Sequence, residues 1–178
     1  MSPMSRQVVI RPATPSDCET IYHLCYELMD YENEAPHKRE TPASNFTSSL
    51  FTPDGQPTIA RVFLATLPPC EEKGEKEKVL GMTLSYPSFA ATSGGYTLYM
   101  RLLYVREEYR SLGVGQKLVR NLAQLCKEMG YVGLEWVAYS WNEKAIRFYE
   151  KLGGKKTEAP LVFFSAYGNN VDGLLEDQ

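Results

Sequence analysis

The apolar residues of this chain recur at two spacings, one typical of amphipathic helices and one typical of strands. Between Ile21 and Met29 the apolar positions follow the i, i+3, i+4, i+7, i+8 pattern of a helix with one buried face. The helical stripe returns later in the chain at Val114, Leu118, Leu122, Leu125 and Met129. Short runs of apolar and β-branched residues predict strands at Val8–Arg11, Thr58–Thr66, Val79–Tyr86, Tyr96–Val105, Tyr131–Tyr139 and Leu161–Tyr167.

Helix start and stop signals set the order of these elements. Thr14 and the proline after it, with Asp17 in the first turn, predict a helix that ends near Tyr31. A second Thr-Pro pair predicts a helix over about Ala43–Phe51, and a helix over Asn142–Leu152 stops at two glycines. The resulting order, β-α-α-β-β-β-α-β-α-β, predicts an α/β (α+β) fold in which helices flank a mixed, largely antiparallel sheet.

Length and composition are those of one globular domain. The 178 residues are 43% hydrophobic and 23% charged, which predicts a single domain over 1–178 with a core at about 7–168 and a frayed tail at 169–178. The loop Pro68–Lys78 is expected to be solvated and without a chemical role. A net charge of −3 argues against a non-specific nucleic-acid binder. No apolar run has the length of a signal peptide or a membrane span.

The cysteines and histidines indicate neither disulfides nor a metal site. Four cysteines occur without a C-x-x-C pair, and reduced thiols of this kind are typical of cytoplasmic proteins. With only two histidines and no cysteine cluster, we expect no metal. Cys126 lies on the apolar stripe of a predicted helix, so we interpret it as a packing residue and not as a nucleophile.

The segment Leu102–Gly115 contains the strongest chemical signal. An apolar run leads into a turn with Arg110, Gly113 and Gly115, and a helix pattern follows at once. The first N–H groups of a helix have no internal partners, and the helix dipole makes that end positive. Because glycine lets a ligand approach the backbone closely, the segment predicts a site for a phosphate-bearing cofactor.

Two common phosphate motifs do not fit this turn. A dinucleotide fingerprint needs a third glycine where Leu118 stands, and a P-loop needs lysine where Gln116 stands. A tight turn between a strand and a helix, without any ligand, is the alternative explanation of the two glycines.

The spacing Arg-x-x-Gly-x-Gly after a strand resembles the pyrophosphate turn of the Gcn5-related N-acetyltransferases, which hold acetyl-CoA. The stretch Val9–Thr14 followed by Asp17, the pair Tyr31-Glu32, and Trp141–Glu143 followed by Phe148-Tyr149 are similar to the diamine (spermidine/spermine) acetyltransferases and their thialysine-acetylating relatives. The likeness spans about Val8 to Tyr167 and is poor through Ala35–Lys78.

The resemblance implies an acetyl-CoA-dependent N-acetyltransferase that acts on a primary amine of a small molecule by direct attack in a ternary complex. It implies acetyl-CoA contacts at Leu103, Tyr104, Val105, Arg110, Ser111, Leu112, Gly113, Val114, Gly115, Gln116 and Asn142. The backbone N–H of Val105 is then a candidate to polarise the thioester carbonyl, and Tyr149 is the candidate acid for the departing thiolate. Substrate contacts are implied at Tyr31, Glu32, Arg101, Glu135 and Trp136.

One position departs from the diamine acetyltransferases. That family carries an acidic pair where this chain has Arg101 and Leu102, and the first acid binds or deprotonates the amine. Arginine cannot act as a general base. It also repels a polycation, because two like charges ~4 Å apart cost roughly 4 kcal/mol at an effective dielectric of about 20. The base is then Glu135 or Glu32, directly or through water. Arg101 either binds a substrate carboxylate, or it points away from the cleft or pairs with a neighbouring acid.

Two further functions stay open on the sequence. A peptide or protein lysine acetyltransferase would need an open groove, which the Ala35–Pro57 region would decide. A non-catalytic acyl-CoA-binding protein would have lost its base, although Tyr149 is present. The family resemblance also implies a homodimer.

Overall fold

The computed structural model describes residues 7–33 and 41–157. The elements are β1 (Val9–Pro12), α1 (Cys18–Tyr31), α2 (Ala43–Leu50), β2 (Arg61–Leu67), β3 (Lys78–Ala90), β4 (Gly95–Val105), α3 (Val114–Glu128), β5 (Gly133–Trp136) and α4 (Glu143–Lys151). The order agrees with the prediction as far as α4. The predicted strand Leu161–Tyr167 and the tail 169–178 lie outside the described residues. The chain forms two compact units, 1–138 and 139–178, which are described separately.

The first unit contains a five-stranded sheet in the order β1-β2-β3-β4-β5. The first three pairings are antiparallel and the pairing of β4 with β5 is parallel. The predicted mixed, largely antiparallel sheet is therefore confirmed. The parallel pair follows from the crossover through α3, because a parallel neighbour cannot be reached by a tight hairpin.

Helices cover the two faces of the sheet. On one face α1 buries Ile21, Leu24 and Leu28 against a cluster of strand residues that includes Leu64 and Met82. On the other face α3 buries a second set of residues against β2 and β3, namely Val114 and Leu118 against Ala65 and Leu80. The helical stripes predicted from the sequence are thus the faces that pack on the sheet.

Two strands differ in length from the prediction. β3 continues to Ala90, beyond the predicted end at Tyr86, because it forms a long hairpin with β4. The pairing of β2 with β3 stops at Arg61 opposite Ser85, so Pro87 lies where β3 is an edge strand and a missing N–H is tolerated. β5 is shorter than predicted. The alternating polar and apolar residues after Trp136 do not pair with β4 in the described part of the chain.

An ion cluster joins β1, the start of α1 and the start of β3. The Arg11 guanidinium donates to both carboxylate oxygens of Asp17 at 2.8 Å and to those of Glu77 at 2.9 and 2.7 Å. Glu77 lies in the loop Pro68–Lys78, which is largely exposed as expected, so one residue of this solvated loop also takes part in the ion cluster. Burial acts to raise the pKa of the Asp17 carboxyl, but hydrogen bonds from Arg11 and Thr14 outweigh it and lower the pKa.

We expect Asp17→Asn to lower the free energy of unfolding at pH 7 by about 1 to 3 kcal/mol and to flatten its acid dependence. The folded pKa of Asp17 lies below its unfolded value, so this carboxylate stabilises the protein above about pH 4 and the contribution is lost as pH falls through the folded pKa. Urea unfolding at pH 7 and pH 3 measures both effects. Glu19→Gln is the control, because that carboxylate is 83% exposed. An unchanged pH dependence in Asp17→Asn would contradict the prediction.

The cysteines are unpaired, and Cys126 packs in the core. All four cysteines are free thiols, and Cys126 is buried with its Sγ donating to the Gly133 carbonyl at 3.1 Å, as expected for a packing residue. Burial raises the pKa of the Cys25 thiol to about 12. No cluster of potential metal ligands occurs within residues 7–33 and 41–157. Among the helices of those same residues, none is long and apolar enough to cross a membrane.

The second unit contains α4. The side-chain oxygen of Asn142 accepts a hydrogen bond from the Ala145 N–H at 3.2 Å and so caps the helix. The Gly154 N–H bonds to the Tyr149 carbonyl at 2.9 Å, beyond the last helical residue. The predicted helix and its glycine stop are confirmed.

Candidate active site

Strands β4 and β5 separate near the middle of β4. Their parallel pairing runs from Thr97 opposite Gly133 to Met100 opposite Trp136, where β5 ends. β4 continues to Val105, so its edge beyond Met100 has no β5 partner in the described residues. An unpaired strand edge presents backbone N–H and C=O groups, and it can therefore accept an extended ligand as an additional strand.

The segment after β4 turns the chain sharply into α3. A 3₁₀ turn at Glu107–Tyr109 is followed by two left-handed residues, Ser111 with φ 64° and Gly113 with φ 77°. The Gly113 carbonyl accepts the first helical hydrogen bond, from the Lys117 N–H at 3.0 Å. The N–H groups of the first turn therefore have no acceptor within the helix, and the helix dipole adds positive potential there. The backbone has the arrangement that anions prefer.

Arg110 links this turn to helix α1. Its Nε donates to the Val105 carbonyl at 2.9 Å. Its guanidinium carbon lies 4.6 Å from the centre of the Tyr31 ring and 5.8 Å from that of Tyr104, within cation–π range. Arg110 and Tyr31, which sequence reasoning assigned to cofactor and substrate respectively, are thus in contact.

Sequence reasoning missed a second arginine, at the end of β4. Arg106 Nη2 donates to Glu27 Oε1 on α1 at 2.8 Å, and Nη1 donates to the Val79 carbonyl at 3.1 Å. The hydrogen bonds with Glu27 raise the pKa of Arg106. Burial raises the pKa of the Tyr104 hydroxyl, and the nearby Glu27 carboxylate adds to the rise. Arg106 and Glu27 are 79 positions apart, so no local pattern in the sequence signals this pair.

Glu135 and Arg101 both lie near Tyr99. Glu135 Oε2 accepts a hydrogen bond from Thr97 Oγ1 at 2.7 Å, and Thr97 is buried. Burial raises the pKa of the Tyr99 hydroxyl, Arg101 lowers it and Glu135 raises it, so both charges act on this one group. The Tyr99 ring is also 5.4 Å from that of Tyr86. The alternation of β4, which brings Thr97 and Tyr99 to one face, was the available signal for these two residues.

The other two predicted substrate residues of the first unit are Trp136 and Glu32. Trp136 is next to Glu135 on β5, and successive strand residues face opposite sides, so Trp136 lies on the face of Met100. Glu32 directly follows α1, and its backbone N–H bonds to the Leu28 carbonyl at 2.9 Å. Glu32 is half-buried and adjoins Tyr31 in the chain.

The predicted acid, Tyr149, belongs to the second unit. It lies on α4, is half-buried, and its ring centre is 5.2 Å from that of Phe148. Asn142, predicted to contact the cofactor, has the helix-capping role described above. Their functional roles remain predictions.

The chain is similar in sequence to known acetyltransferases. A model of the acetyltransferase (GNAT) family matches residues 23–154. The chain is similar to thialysine N-epsilon-acetyltransferase from Bos taurus, with 32% identity over 154 residues that cover 85% of this chain and 87% of the relative. It is similar to L-ornithine N5-acetyltransferase from Arabidopsis thaliana, with 28% identity covering 82% of this chain and 78% of the relative.

A solved structure shows the same fold. An aminoglycoside acetyltransferase from an uncultured soil metagenomic sample superimposes with a TM-score of 0.69 and 19% identity, over 90% of this chain and 97% of the other. The family match begins in α1 and runs past α4, so it includes both the open edge of β4 and the turn into α3. The chain therefore belongs to the GNAT family of acetyltransferases, and it is an acetyltransferase enzyme.

Proposed function

We propose that this enzyme transfers an acetyl group from acetyl-CoA to a primary amine of a small molecule in a ternary complex. The observation that carries the proposal is the open edge of β4 leading directly into the turn at the N-terminus of α3. An extended arm and a diphosphate are the two parts of CoA that such a strand edge and such a turn can bind. The names of the two relatives, which are acetyltransferases acting on thialysine and L-ornithine, support a small amine as the acceptor.

Open space at Gly113 supports a diphosphate site at this turn. A Cβ placed on Gly113 would meet no atom within 4 Å, so the backbone at this point is open to a ligand. The N–H groups of Ser111, Gly113, Val114, Gly115 and Gln116 would hold the pyrophosphate, with Arg110 and the main chain of Leu112 beside it. The edge residues Leu103, Tyr104 and Val105 would pair with the extended arm, and Asn142 would add a contact.

The chain's own groups would then guide the transfer. Acetyl-CoA supplies the acetyl group as a thioester. Overall, the bond between the acetyl carbon and the sulfur breaks and a bond to the amine nitrogen forms, while the amine loses a proton and the sulfur gains one. The Val105 N–H would polarise the carbonyl oxygen, and the Tyr149 hydroxyl would donate the proton. An alkyl ammonium has a pKa of about 10.4, so a base is needed, and Glu135 or Glu32 would accept that proton. Tyr31, Arg101 and Trp136 would complete the substrate contacts.

We expect Gly113→Ala to raise KM for acetyl-CoA about tenfold, corresponding to ~1.4 kcal/mol. A methyl group at φ 77° strains the turn and occupies the open space in front of it. Gly130→Ala is the matched control, because Gly130 also has a positive φ of 67° and open surroundings but follows the other end of α3. Equal changes of KM in the two variants would contradict the assignment of the turn.

A CoA-release assay tests the proposed function. Acetyl-CoA is offered with spermidine, spermine, putrescine, lysine, thialysine and a lysine-containing peptide. Turnover on a small amine supports the proposal. Turnover on the peptide alone would replace it with peptide or protein lysine acetylation, and CoA binding without turnover on any acceptor would favour a non-catalytic acyl-CoA-binding protein.

We also propose a homodimer in the cytoplasm. Phe89, Tyr96 and Val132 are each more than half exposed and lie together at the β3–β4 hairpin, which supports a self-association surface. Light scattering should give twice the monomer mass, and Phe89→Ser with Tyr96→Ser should halve it.

The four free thiols support a reducing compartment. Fractionation of cells that express the tagged protein tests that location.

A further inference from the structure

We propose that Arg101 is the residue that determines specificity for the acceptor, selecting amines that carry a carboxylate and disfavouring polyamines. The inference rests on the proposed function and makes it narrower. It assigns the acceptor to the class of α-amino acids with an amine at the end of the side chain.

Arg101 occupies a bulge where the sheet opens. In the β3–β4 pairing Leu84 faces Leu102 and Ser85 faces Met100, so Arg101 is the extra residue without a partner on β3. It is also the first residue of β4 after the last β5 pair, at Met100. A bulge turns a side chain away from the regular alternation and often does so beside an active site. Arg101 thus stands where the unpaired edge of β4 begins.

The guanidinium of Arg101 is not neutralised by a neighbouring acid. It is exposed, and within residues 7–33 and 41–157 no carboxylate forms an ion pair with it. The nearby acid, Glu135, is hydrogen-bonded to Thr97 Oγ1. The group beside Arg101 is the Tyr99 hydroxyl, whose pKa it lowers. The alternative that Arg101 pairs with a neighbouring acid is therefore not met in the described residues.

Charge decides which acceptors fit this position. A guanidinium binds a carboxylate through two parallel hydrogen bonds, whereas it repels the second ammonium group of a diamine. Arg101 therefore complements a molecule whose carboxylate lies beside its guanidinium and whose amine extends towards the open edge of β4.

The spacing between Arg101 and the open edge of β4 fits the length of a lysine-like acceptor. Arg101 precedes Leu103 by two residues, which corresponds to about 7 Å along a strand. A carboxylate held by the long Arg101 side chain and an amine placed at the Leu103–Val105 edge are then separated by a span that an aliphatic side chain of three or four methylenes can cover.

The test compares acceptors that differ only in the carboxylate. Cadaverine is lysine without its carboxylate, and putrescine is ornithine without its carboxylate. We expect the wild-type enzyme to prefer each amino acid over its diamine. Arg101→Gln should lower kcat/KM for the amino acids roughly 10- to 100-fold, mainly through KM, and leave the diamines unchanged or improved. Arg101→Glu should reverse the preference.

Two further variants and one binding readout separate the outcomes. Arg101→Lys keeps the charge but loses the paired hydrogen bonds, so it should lie between wild type and Arg101→Gln. Arg120→Gln, an exposed arginine of α3, is the control and should change neither ratio. Equal losses on lysine and cadaverine in Arg101→Gln would overturn the inference, as would a wild-type preference for diamines.

A readout without turnover distinguishes this inference from the proposed function. If no amine is acetylated, the proposed function fails, and the thermal shift produced by lysine then decides the role of Arg101. Stabilisation by lysine but not by cadaverine, lost in Arg101→Gln, supports the carboxylate site. No difference between the two ligands overturns it.

Discussion

Replacing Tyr149 by phenylalanine is expected to lower kcat by about 100- to 10,000-fold while the affinity for acetyl-CoA stays within a factor of about two. The change removes only the hydroxyl, so the ring contact with Phe148 is kept and α4 should fold unchanged. Without a proton donor the thiolate must leave as an anion, which raises the barrier of the chemical step. Steady-state kinetics with the best acceptor of the panel and a direct CoA titration measure the two quantities.

Tyr22→Phe is the matched control for Tyr149→Phe. Tyr22 lies on α1 with its ring 4.5 Å from Tyr26, and its replacement also removes a single hydroxyl. We expect it to keep kcat within a factor of about two. A normal kcat in Tyr149→Phe would remove Tyr149 from the mechanism, and a loss of CoA affinity would indicate a binding role in place of acid catalysis.

Gly81→Ala is expected to lower the free energy of unfolding by about 3 kcal/mol and the melting temperature by about 6 to 12 °C. Gly81 on β3 faces Val105 on β4, and a Cβ at this glycine would clash with the Tyr104 carbonyl and lie 2.9 Å from Val105 Cα. These are backbone atoms, so the strands must separate to make room. The separation would occur at the edge proposed to bind acetyl-CoA, so kcat/KM should fall as well.

Gly133→Ala provides the comparison for the stability prediction. Gly133 also lies in a strand of the sheet, but its Cβ would meet only the Thr97 methyl at 3.5 Å, an ordinary contact. We expect its melting temperature to stay within about 2 °C of wild type, because the lost freedom of the unfolded chain offsets small packing changes. Thermal unfolding of both variants at one pH measures the difference. An unchanged melting temperature of Gly81→Ala would show that β3 and β4 can move apart with little loss in the free energy of unfolding.

Much of the fold could be predicted because it depends on local patterns. The helical stripe from Ile21 to Leu28 and the glycine stop after α4 are each encoded within a few residues, and the structure confirms them. The Thr14 signal instead begins a 3₁₀ turn at Pro15–Asp17, and α1 starts after it at Cys18. The strand ends could not be predicted equally well, since pairing partners decide them. β3 extends past Pro87 only because β4 continues beside it, and β5 ends at Trp136 where β4 diverges.

The same distinction applies to the candidate site. The turn from Arg110 to Gly115 is contiguous, so its glycines and its place between a strand and a helix are visible in the sequence. Contacts between distant segments are not. Glu27 with Arg106, and Tyr31 with Arg110, join α1 to the end of β4 only after the helix packs on the sheet. The predicted solvated loop likewise contributes Glu77 to Arg11 because the sheet brings them together.

By itself, the sequence determined the family, the order of the elements as far as α4 and the glycine-containing turn between β4 and α3, because all three depend on residue types at short, regular spacings. The family prediction is confirmed by the match over residues 23–154. Only the tertiary structure decided what surrounds Arg101. Its bulge depends on the register between β3 and β4, and its place at the start of the open edge depends on how far β5 pairs with β4. Register and pairing length are set by contacts between segments far apart in the chain, and no local pattern specifies them.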